Sequence, residues 1–208
     1  MARGRSAHFD LNREAIVRTA TRLFALQGYP GTSMSDLARE CGISKPLLYH
    51  YVNDKYQLLL EITEGHVTRL AALVNEVEAL RLAPALRLRE LIRRFVHEYA
   101  QARHDHGVLT QDVKFLETKD RQRVLRKERA VVAAFANTIG EARPELAQAA
   151  LAKPLTMLLF GMINWMFTWL RPDGALGHDQ MAPIVADLFL GGLGAVQTPR
   201  RVSVEVRD

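Results

Sequence analysis

The sequence predicts an all-α protein of about nine helices. Apolar residues recur at spacings of three and four almost throughout the 208 residues, and no region alternates apolar and polar residues with the period of two that a strand requires. Hydrophobic residues make up 48% and charged residues 25% of the chain, a balance typical of a folded globular protein. A chain of this length can hold two domains, and we expect a small one over residues 1–55 and a larger helical one over residues 56–208.

The first helix is predicted over residues 12–27, where apolar side chains repeat on one face. Gly28 follows the last residue of this pattern and is suited to end the helix, because glycine takes the left-handed conformation without a steric cost. A helix with one apolar face packs that face against a core. The residues of the face are Ile16, Ala20, Leu23 and Phe24.

Two short helices follow, and their ends are marked by local signals. Ser33 is expected to cap the second helix, with Asp36 three residues later completing a capping box. Gly42 can take the left-handed conformation that stops this helix, and Ser44 can cap a third helix over residues 45–51. The pattern is therefore one of two short helices joined by a tight turn.

The rest of the chain is predicted to be helical as well. Asn53 is expected to cap a long fourth helix that reaches about residue 80. The stretch 154–170 is apolar on nearly all sides, so a helix there must be covered all round. The polar tail 197–208 is expected to be loose. Further helices are predicted over residues 85–103, 107–117, 119–141 and 179–193.

The second and third helices together predict a helix-turn-helix, a motif whose second helix enters the major groove of DNA. Ala38 is small enough to let the two helices cross closely, and Gly42 makes the turn. The inner face of the motif is expected to hold Ile43, Leu47 and Leu48. Polar tips for phosphates or base edges are offered by Lys45, Tyr49, His50 and Tyr51.

The charge of the chain favours an anionic partner such as nucleic acid. The formal net charge is +5 and the pI is about 9.6. Cys41 is the single cysteine, which excludes an intramolecular disulfide and suits a reducing cytoplasm. No signal peptide is expected, because residues 1–10 lack an apolar run, and no membrane span is expected, because the most apolar stretch is short and contains Asn164. The basic residues of positions 1–55 are Arg3, Arg5, Arg13, Arg18, Arg22, Arg39, Lys45 and Lys55.

Residues 16–60 resemble the DNA-binding domain of the TetR family of bacterial transcriptional regulators. The resemblance implies a repressor that binds a near-palindromic operator in double-stranded DNA as a homodimer and is released by a small-molecule effector. The shared pattern consists of Ala20, Leu23-Phe24, Gly28-Tyr29, Thr32-Ser33, Leu37-Ala38, Gly42-Ile43-Ser44, Leu48-Tyr49 and Lys55. Such a regulator is expected in the bacterial cytoplasm, associated with the nucleoid.

The resemblance also assigns roles to individual residues. It implies phosphate contacts for Thr32, Ser33, Tyr49 and Lys55. It implies positions at or near the groove for Ser44, Lys45, Leu47 and His50. Arg3 and Arg5 can add a basic arm that follows the duplex.

For the C-terminal domain, the resemblance implies dimerisation through the last two long helices, which pair with their symmetry mates into a four-helix bundle. The segment around Asn164-Trp165 and the sequence 169–174 resemble regulators of fatty-acid, sterol or aromatic-acid catabolism, several of which sense acyl-CoA thioesters. A lipophilic acid or an acyl-CoA thioester is therefore the expected effector, and no cofactor is expected. The residues expected to line its pocket are His66, Phe115, Asn164 and Trp165.

Other functions are less well supported by the sequence. An enzyme would need a nucleophile beside a base, paired carboxylates or a nucleotide-binding motif, and none is recognisable. An architectural DNA-binding protein without an effector would need little beyond the basic N-terminal domain. A metal site is suggested by His97, His104 and His106, but residues two apart diverge on a helix, which favours a solvated helix end and loop. Cys41 follows an apolar face and is expected to be a small buried residue.

Overall fold

The computed structural model describes residues 3–171 and 174–198, with the backbone alone at residues 3–8 and at Phe167. Within this part of the chain there are ten α-helices, one short 3-10 helix (Val113–Phe115) and no strand, which confirms the predicted all-α fold. The α-helices are α1 (Arg3–Gln27), α2 (Met34–Glu40), α3 (Lys45–Tyr51), α4 (Lys55–Ala79), α5 (Pro84–Gln101), α6 (Arg103–Asp112), α7 (Thr118–Ala142), α8 (Pro144–Gln148), α9 (Ala152–Trp169) and α10 (His178–Ala195).

The described residues form two compact units. Unit 1 is drawn from Met1–Ala72 and Gln101–Glu128, and unit 2 from Leu73–Ala100 and Arg129–Asp208. Unit 1 therefore contains α1, α2, α3 and α6 entire, whereas unit 2 contains α5, α8, α9 and α10 nearly or wholly entire. The predicted boundary after residue 55 separates a DNA-binding domain from a ligand-binding domain. The division into compact units does not test that boundary, which stays a prediction.

The core of unit 1 is built on the apolar face predicted for the first helix. Phe24 and Ala20 are fully buried, and they share one cluster with Leu37 of α2 and Leu48 of α3. Val108 of α6 belongs to the same cluster. Burying a side chain of the size of Phe or Leu contributes about 1.5–3 kcal/mol, so this cluster holds the three N-terminal helices together.

The local signals at the ends of α2 and α3 are confirmed. The Asp36 amide donates to Ser33 Oγ at 3.1 Å and the Ser33 amide donates to an Asp36 carboxylate oxygen at 3.1 Å, which completes the capping box. Gly42 has φ +67° and ends the turn after α2. Ser44 Oγ accepts from the Leu47 amide at 3.3 Å at the start of α3. The predicted motif of two short helices and a tight turn is therefore present.

Two predicted helix starts were wrong. The cap of α4 is Asp54, not Asn53, because the Asp54 carboxylate accepts from the Gln57 amide at 2.7 Å. α1 begins at Arg3 and not near residue 12, and Asn12 instead donates from Nδ2 to the Tyr51 hydroxyl at 3.1 Å. The first difference is a choice between two neighbouring capping residues, whereas the second involves a contact with a distant part of unit 1 that local capping signals do not record.

Further differences concern the middle and the end of the chain. The predicted helix over 107–117 is α6 followed by the short 3-10 helix, so it begins four residues earlier. The short helix α8 was not predicted, although Pro144 does stand at its start as expected. The described residues contain no helix that combines the length and the apolarity needed to cross a membrane. Most of the tail predicted to be loose, from residue 199 on, lies outside the described residues.

Unit 2 has an aromatic core. The Phe135 ring centroid lies 4.8 Å from that of Phe95 and 4.9 Å from that of Phe160. Phe95 and Phe135 are fully buried, and Phe160 is nearly so. Edge-on and tilted pairs at these separations are favourable arrangements of aromatic rings. These rings join α5, α7 and α9 within the unit.

We expect glycine substitutions at two positions to change stability with opposite signs. Gly42→Ala should lower the free energy of unfolding by about 1–2 kcal/mol, because an alanine at φ +67° is strained. Gly65→Ala, its matched control inside α4, should raise it by about 0.5–1 kcal/mol, since the new methyl group meets only the Arg69 guanidinium at 3.7 Å. Urea denaturation at neutral pH measures both, and equal shifts in the same direction would contradict this explanation.

Candidate functional site

The outer face of α3 is the first candidate for function. Leu48 is fully buried and anchors the helix in the core of unit 1, and it is the one buried residue of α3. Leu47, which the sequence pattern also placed on the inner face, is 43% exposed, so that part of the prediction was wrong. In a helix of seven residues only one or two positions can point to the core, and here they are taken by Leu48 and the half-buried Tyr51. The exposed residues of this face are Ser44, Lys45, Leu47, Tyr49 and His50.

The far end of α3 is supported by an aromatic contact that the sequence did not predict. The Phe9 ring centroid lies 4.7 Å from that of Tyr51 and 5.7 Å from that of His50. Phe9 belongs to the first turns of α1, upstream of the start predicted for that helix. No local signal at Phe9 indicated this contact, because it depends on the extension of α1 to Arg3.

The predicted arm of Arg3 and Arg5 falls mostly outside what the structure describes. The backbone of both residues lies within α1. Their side chains lie outside the described part of the chain, so the basic arm stays a prediction.

The two predicted phosphate contacts before α2 differ in exposure. Ser33 is exposed, and its hydroxyl donates to the Asp36 carboxylate at 2.6 Å. Thr32 is 2% exposed, and its hydroxyl donates to the Gly28 carbonyl at 3.1 Å inside the turn. Ser33 is therefore accessible to a backbone phosphate, while the Thr32 side chain is occupied in holding the turn between α1 and α2.

Lys55, predicted as a phosphate contact, binds backbone within unit 1. Its ammonium donates to the Tyr29 carbonyl and to the Thr32 carbonyl, each at 2.8 Å. It also lies 4.2 Å from the centroid of the Tyr29 ring. Burial lowers the pKa of the Lys55 ammonium, and the negative charge of Asp112 opposes that shift. Tyr29, Thr32, Lys55 and Asp112 are called the Tyr29 cluster below.

Two buried histidines lie between α4 and α6. His66 is fully buried and His106 is 4% exposed, and His66 Nε2 lies 3.3 Å from His106 Nδ1. An Arg69 nitrogen lies 3.4 Å from His66 Nδ1 and donates to Asp105 at 2.8 Å. Burial, followed by the positive charges of His106 and Arg69, lowers the pKa of His66 to about 3. The prediction that His106 lies in a solvated helix end was wrong, because α6 begins at Arg103 and turns His106 inward.

We expect His66 to make stability depend on acidity. The unfolded chain takes up a proton at His66 near pH 6.5, whereas the folded protein does so only near pH 3. The free energy of unfolding should therefore fall as the pH is lowered through this window, by up to about 1.4 kcal/mol per pH unit. His66→Gln should flatten this dependence in urea denaturations at pH 7.5 and pH 5. His50→Gln controls for the loss of one imidazole, and an unchanged slope in His66→Gln would contradict the assignment.

The residues predicted to line an effector pocket occupy different environments. His66 and Phe115 belong to unit 1, and Asn164 and Trp165 belong to unit 2. Phe115 is 39% exposed and its ring lies 5.6 Å from that of Tyr29, while Trp165 is 67% exposed. The side-chain oxygen of Asn164 is buried without a hydrogen-bond partner among the described residues. Their role in binding an effector stays a prediction.

A cavity of about 410 Å³ lies in unit 1 among α1, α4 and the start of α6. Its walls carry both signs of charge, including Arg13 paired with Glu61 and Arg69 paired with Asp105. A site for a lipophilic ligand is expected to be mostly apolar. This cavity therefore does not match the chemistry expected of the effector pocket.

The last two long helices present apolar side chains to solvent. On α9, Leu158 is 65% and Trp165 is 67% exposed, and on α10, Leu188 is 65% exposed. The prediction that the helix over 154–170 is covered on every side does not hold within the single chain. The exposed apolar face, called the α9–α10 face below, comprises Met157, Leu158, Trp165, Trp169, Ile184 and Leu188.

Comparison with known families decides what kind of protein this is. The family model described as "Tetracyclin repressor-like, C-terminal domain" matches residues 81–193, and the model described as "Bacterial regulatory proteins, tetR family" matches residues 16–62. The chain belongs to the TetR family. It is therefore a TetR-family transcriptional regulator, and the resemblance seen in residues 16–60 is confirmed by a match that extends over most of the chain.

Solved structures of TetR-family regulators share the fold. A regulator from Bordetella parapertussis 12822 is 34% identical with a TM-score of 0.82, over 90% of this chain and 98% of that one. AibR, in a structure with isovaleryl coenzyme A and operator DNA, has a TM-score of 0.74 at 24% identity, over 85% of this chain and 97% of that one. The second likeness concerns the fold alone.

Several curated relatives match over less than half of the chain. YerO of Bacillus subtilis, FasR of Mycolicibacterium smegmatis and BetI of Agrobacterium fabrum match over 55, 93 and 51 residues, which is 19%, 42% and 25% of their lengths. The HTH-type transcriptional repressor KstR2 of Mycolicibacterium smegmatis is 23% identical over 194 residues, covering 87% of this chain and 90% of that protein. Relatives thus include both proteins named repressors and one, FasR, named an activator.

Proposed function

We propose that this regulator is a repressor that binds a palindromic operator as a homodimer, with one α3 helix of each protomer in the major groove. The observation that carries the proposal is the outer face of α3, where Lys45, Tyr49 and His50 are exposed around the single buried anchor Leu48. The major groove is about 12 Å wide and admits a helix of this kind. Its place of action is the DNA of the cytoplasm.

The exposed side chains divide into two chemical roles. Lys45, in the first turn of α3, can donate to guanine acceptors or to a phosphate, and Tyr49 can donate its phenol to a phosphate. Leu47 offers an apolar contact of the kind that thymine methyl groups accept. Ser33 is exposed at the start of α2, and its hydroxyl, which donates to Asp36 at 2.6 Å, can donate to a phosphate once it gives up that bond.

The homodimer is proposed to form through the α9–α10 face. A patch with two exposed tryptophans and several aliphatic side chains is costly to leave in water and is typical of an interface. Gly161 of α9 and Gly191 of α10 have open space where a side chain would lie, so a partner helix can approach closely there. When two identical faces pair about a twofold axis, each covers the other from water. The same axis relates the two α3 helices, which matches the symmetry of a palindromic operator.

The effector is proposed to be a lipophilic acid or its acyl-CoA thioester, bound by the C-terminal domain. Support comes from the relatives, since KstR2 is described as a ketosteroid regulator and AibR was solved with isovaleryl coenzyme A. Binding would release the operator only if the effector prefers the conformation that does not bind DNA. A small rotation of each α3 helix is enough to release the operator, because the two helices fit DNA only when their half-site centres lie about 34–36 Å apart or a multiple of that.

Selection of DNA from random duplexes tests the proposal. The wild-type protein should enrich a sequence with twofold symmetry, and footprinting should show two protected half-sites. A thermal-shift series with straight-chain, branched and steroid acyl-CoA thioesters, with free coenzyme A as control, should raise the melting temperature for the effector class. Enrichment of no sequence, or of one without symmetry, would contradict the proposed operator.

A further inference from the structure

The peptide groups around Tyr29 are held from two helices at once. The Tyr29 amide donates to an Asp112 carboxylate oxygen at 3.1 Å, and the Tyr29 carbonyl accepts from the Lys55 ammonium at 2.8 Å. Asp112 is the last residue of α6 and Lys55 is the first residue of α4. The residue that opens the turn between α1 and α2 is therefore bound at both of its backbone polar groups.

The Tyr29 cluster is largely withdrawn from water. Asp112 is 4% exposed, and the Tyr29 ring lies 5.3 Å from the Phe24 ring. Burial raises the pKa of the Asp112 carboxyl, while the hydrogen bond from the Tyr29 amide and the nearby positive charges of Lys114 and Lys55 oppose that shift. Buried hydrogen bonds to charged groups are among the stronger ones in proteins, so this contact is well suited to transmit a displacement.

The Tyr29 cluster also holds the backbone just before α2. Helices α2 and α3 together are called the DNA-reading helices below. Lys55 also holds the Thr32 carbonyl at 2.8 Å, and the next residue, Ser33, caps α2. α2 packs on α3 through the core residues Leu37 and Leu48. A movement of about 1 Å at the end of α6 would lengthen the Asp112 contact beyond hydrogen-bond range and remove the bond from α6 to the turn that precedes α2, leaving the bonds from Lys55.

We propose that Asp112 is a positioning residue that couples the end of α6 to the DNA-reading helices through the backbone amide of Tyr29. This inference rests on the proposed function, since it concerns how operator binding is linked to α6. Because the link runs through a backbone amide, it does not depend on the identity of the Tyr29 side chain, and Asp112 is the residue whose substitution removes it. Coupling of this kind is reciprocal, so operator binding must also stabilise the end of α6.

Hydrogen exchange with and without a selected duplex tests the link without an effector. In the wild type, duplex binding should slow exchange of the amides in α3, at Tyr29 and in the last turn of α6. In Asp112→Ala, protection of α3 by the duplex should persist while the added protection of α6 is lost, and the Kd for the duplex should rise about tenfold. Asp112→Asn, which keeps an oxygen acceptor for the Tyr29 amide, should restore most of the α6 protection.

Asp120→Asn provides the matched control. Asp120 accepts from the Tyr56 hydroxyl at 2.7 Å in the same unit but does not touch the turn before α2. This variant should keep the wild-type pattern of protection. Wild-type protein that selects no duplex would overturn the proposed function, and this inference with it. Duplex binding that leaves α6 unprotected in the wild type, or protects it fully in Asp112→Ala, would overturn this inference alone.

Discussion

Leu158→Asp is expected to convert the proposed dimer into monomers and to raise the Kd for the operator by at least about 100-fold. Leu158 is 65% exposed in the single chain and belongs to the α9–α10 face, about two helical turns before Trp165. A carboxylate placed in a closely packed apolar interface loses its hydration without gaining a partner. Once the protomers separate, each half-site must be bound independently, which removes the gain of about 10²–10⁴ that a bivalent arrangement provides.

Sedimentation equilibrium and duplex binding together measure this effect. Leu86→Asp is the matched control, because Leu86 is 57% exposed and belongs to α5 rather than to α9 or α10. That variant should remain dimeric with wild-type affinity for DNA. A Leu158→Asp protein that sediments as a dimer would show that the subunits meet elsewhere, and the proposed interface would have to be abandoned.

The double variant Lys45→Ala, Tyr49→Phe is expected to raise the Kd for the operator by about 30- to 700-fold. Loss of a base contact by lysine costs about 1–3 kcal/mol, and loss of a hydrogen bond from the Tyr49 phenol to phosphate adds about 1 kcal/mol. Tyr49 is 45% exposed and Lys45 is exposed, so neither change should disturb folding or dimerisation. If Lys45 neutralises a phosphate, its loss should also lower the salt slope of binding by about one, whereas loss of the neutral Tyr49 phenol should leave the slope unchanged.

Titrations of the selected duplex at several salt concentrations measure this prediction. Lys119→Ala, at the exposed start of α7, removes a positive charge of unit 1 that does not belong to α3 and should leave the affinity almost unchanged. Equal losses in the two proteins would mean that net charge alone governs binding. Loss of dimerisation in the double variant, with DNA affinity retained, would remove α3 from its proposed role.

The parts of the fold that local chemistry determines could be predicted from the sequence. The capping box at Ser33, the left-handed turn at Gly42 and the cap at Ser44 each depend on residues within four positions, so they were predicted correctly. The start of α1 depends instead on the packing of Phe9 against Tyr51, some forty residues along the chain. Contacts between residues so far apart in the sequence produce no periodic pattern of apolar residues around either one.

The same limit applies to the candidate site. Exposure of Lys45, Tyr49 and His50 follows from the amphipathic pattern of a short helix with one anchor, and the sequence predicted it. The ammonium of Lys55 binds backbone carbonyls of the turn that precedes α2. Every residue has a backbone carbonyl, so the residue types in the sequence do not indicate which ones Lys55 binds. The inward orientation of His106 likewise depends on where α6 begins.

The single anchor of α3 has a consequence for redesign of the regulator. Because Leu48 is the one fully buried residue of this helix, exposed positions that make no contact with the core can be exchanged without altering the scaffold, and surface substitutions of this kind usually change stability by no more than about 0.5 kcal/mol. A library randomised at Lys45, Leu47 and Tyr49, with His50 kept because its ring contacts Phe9, should therefore yield folded variants with new sequence preferences. The exposed face of α3 could then be varied while the core of unit 1 keeps its structure.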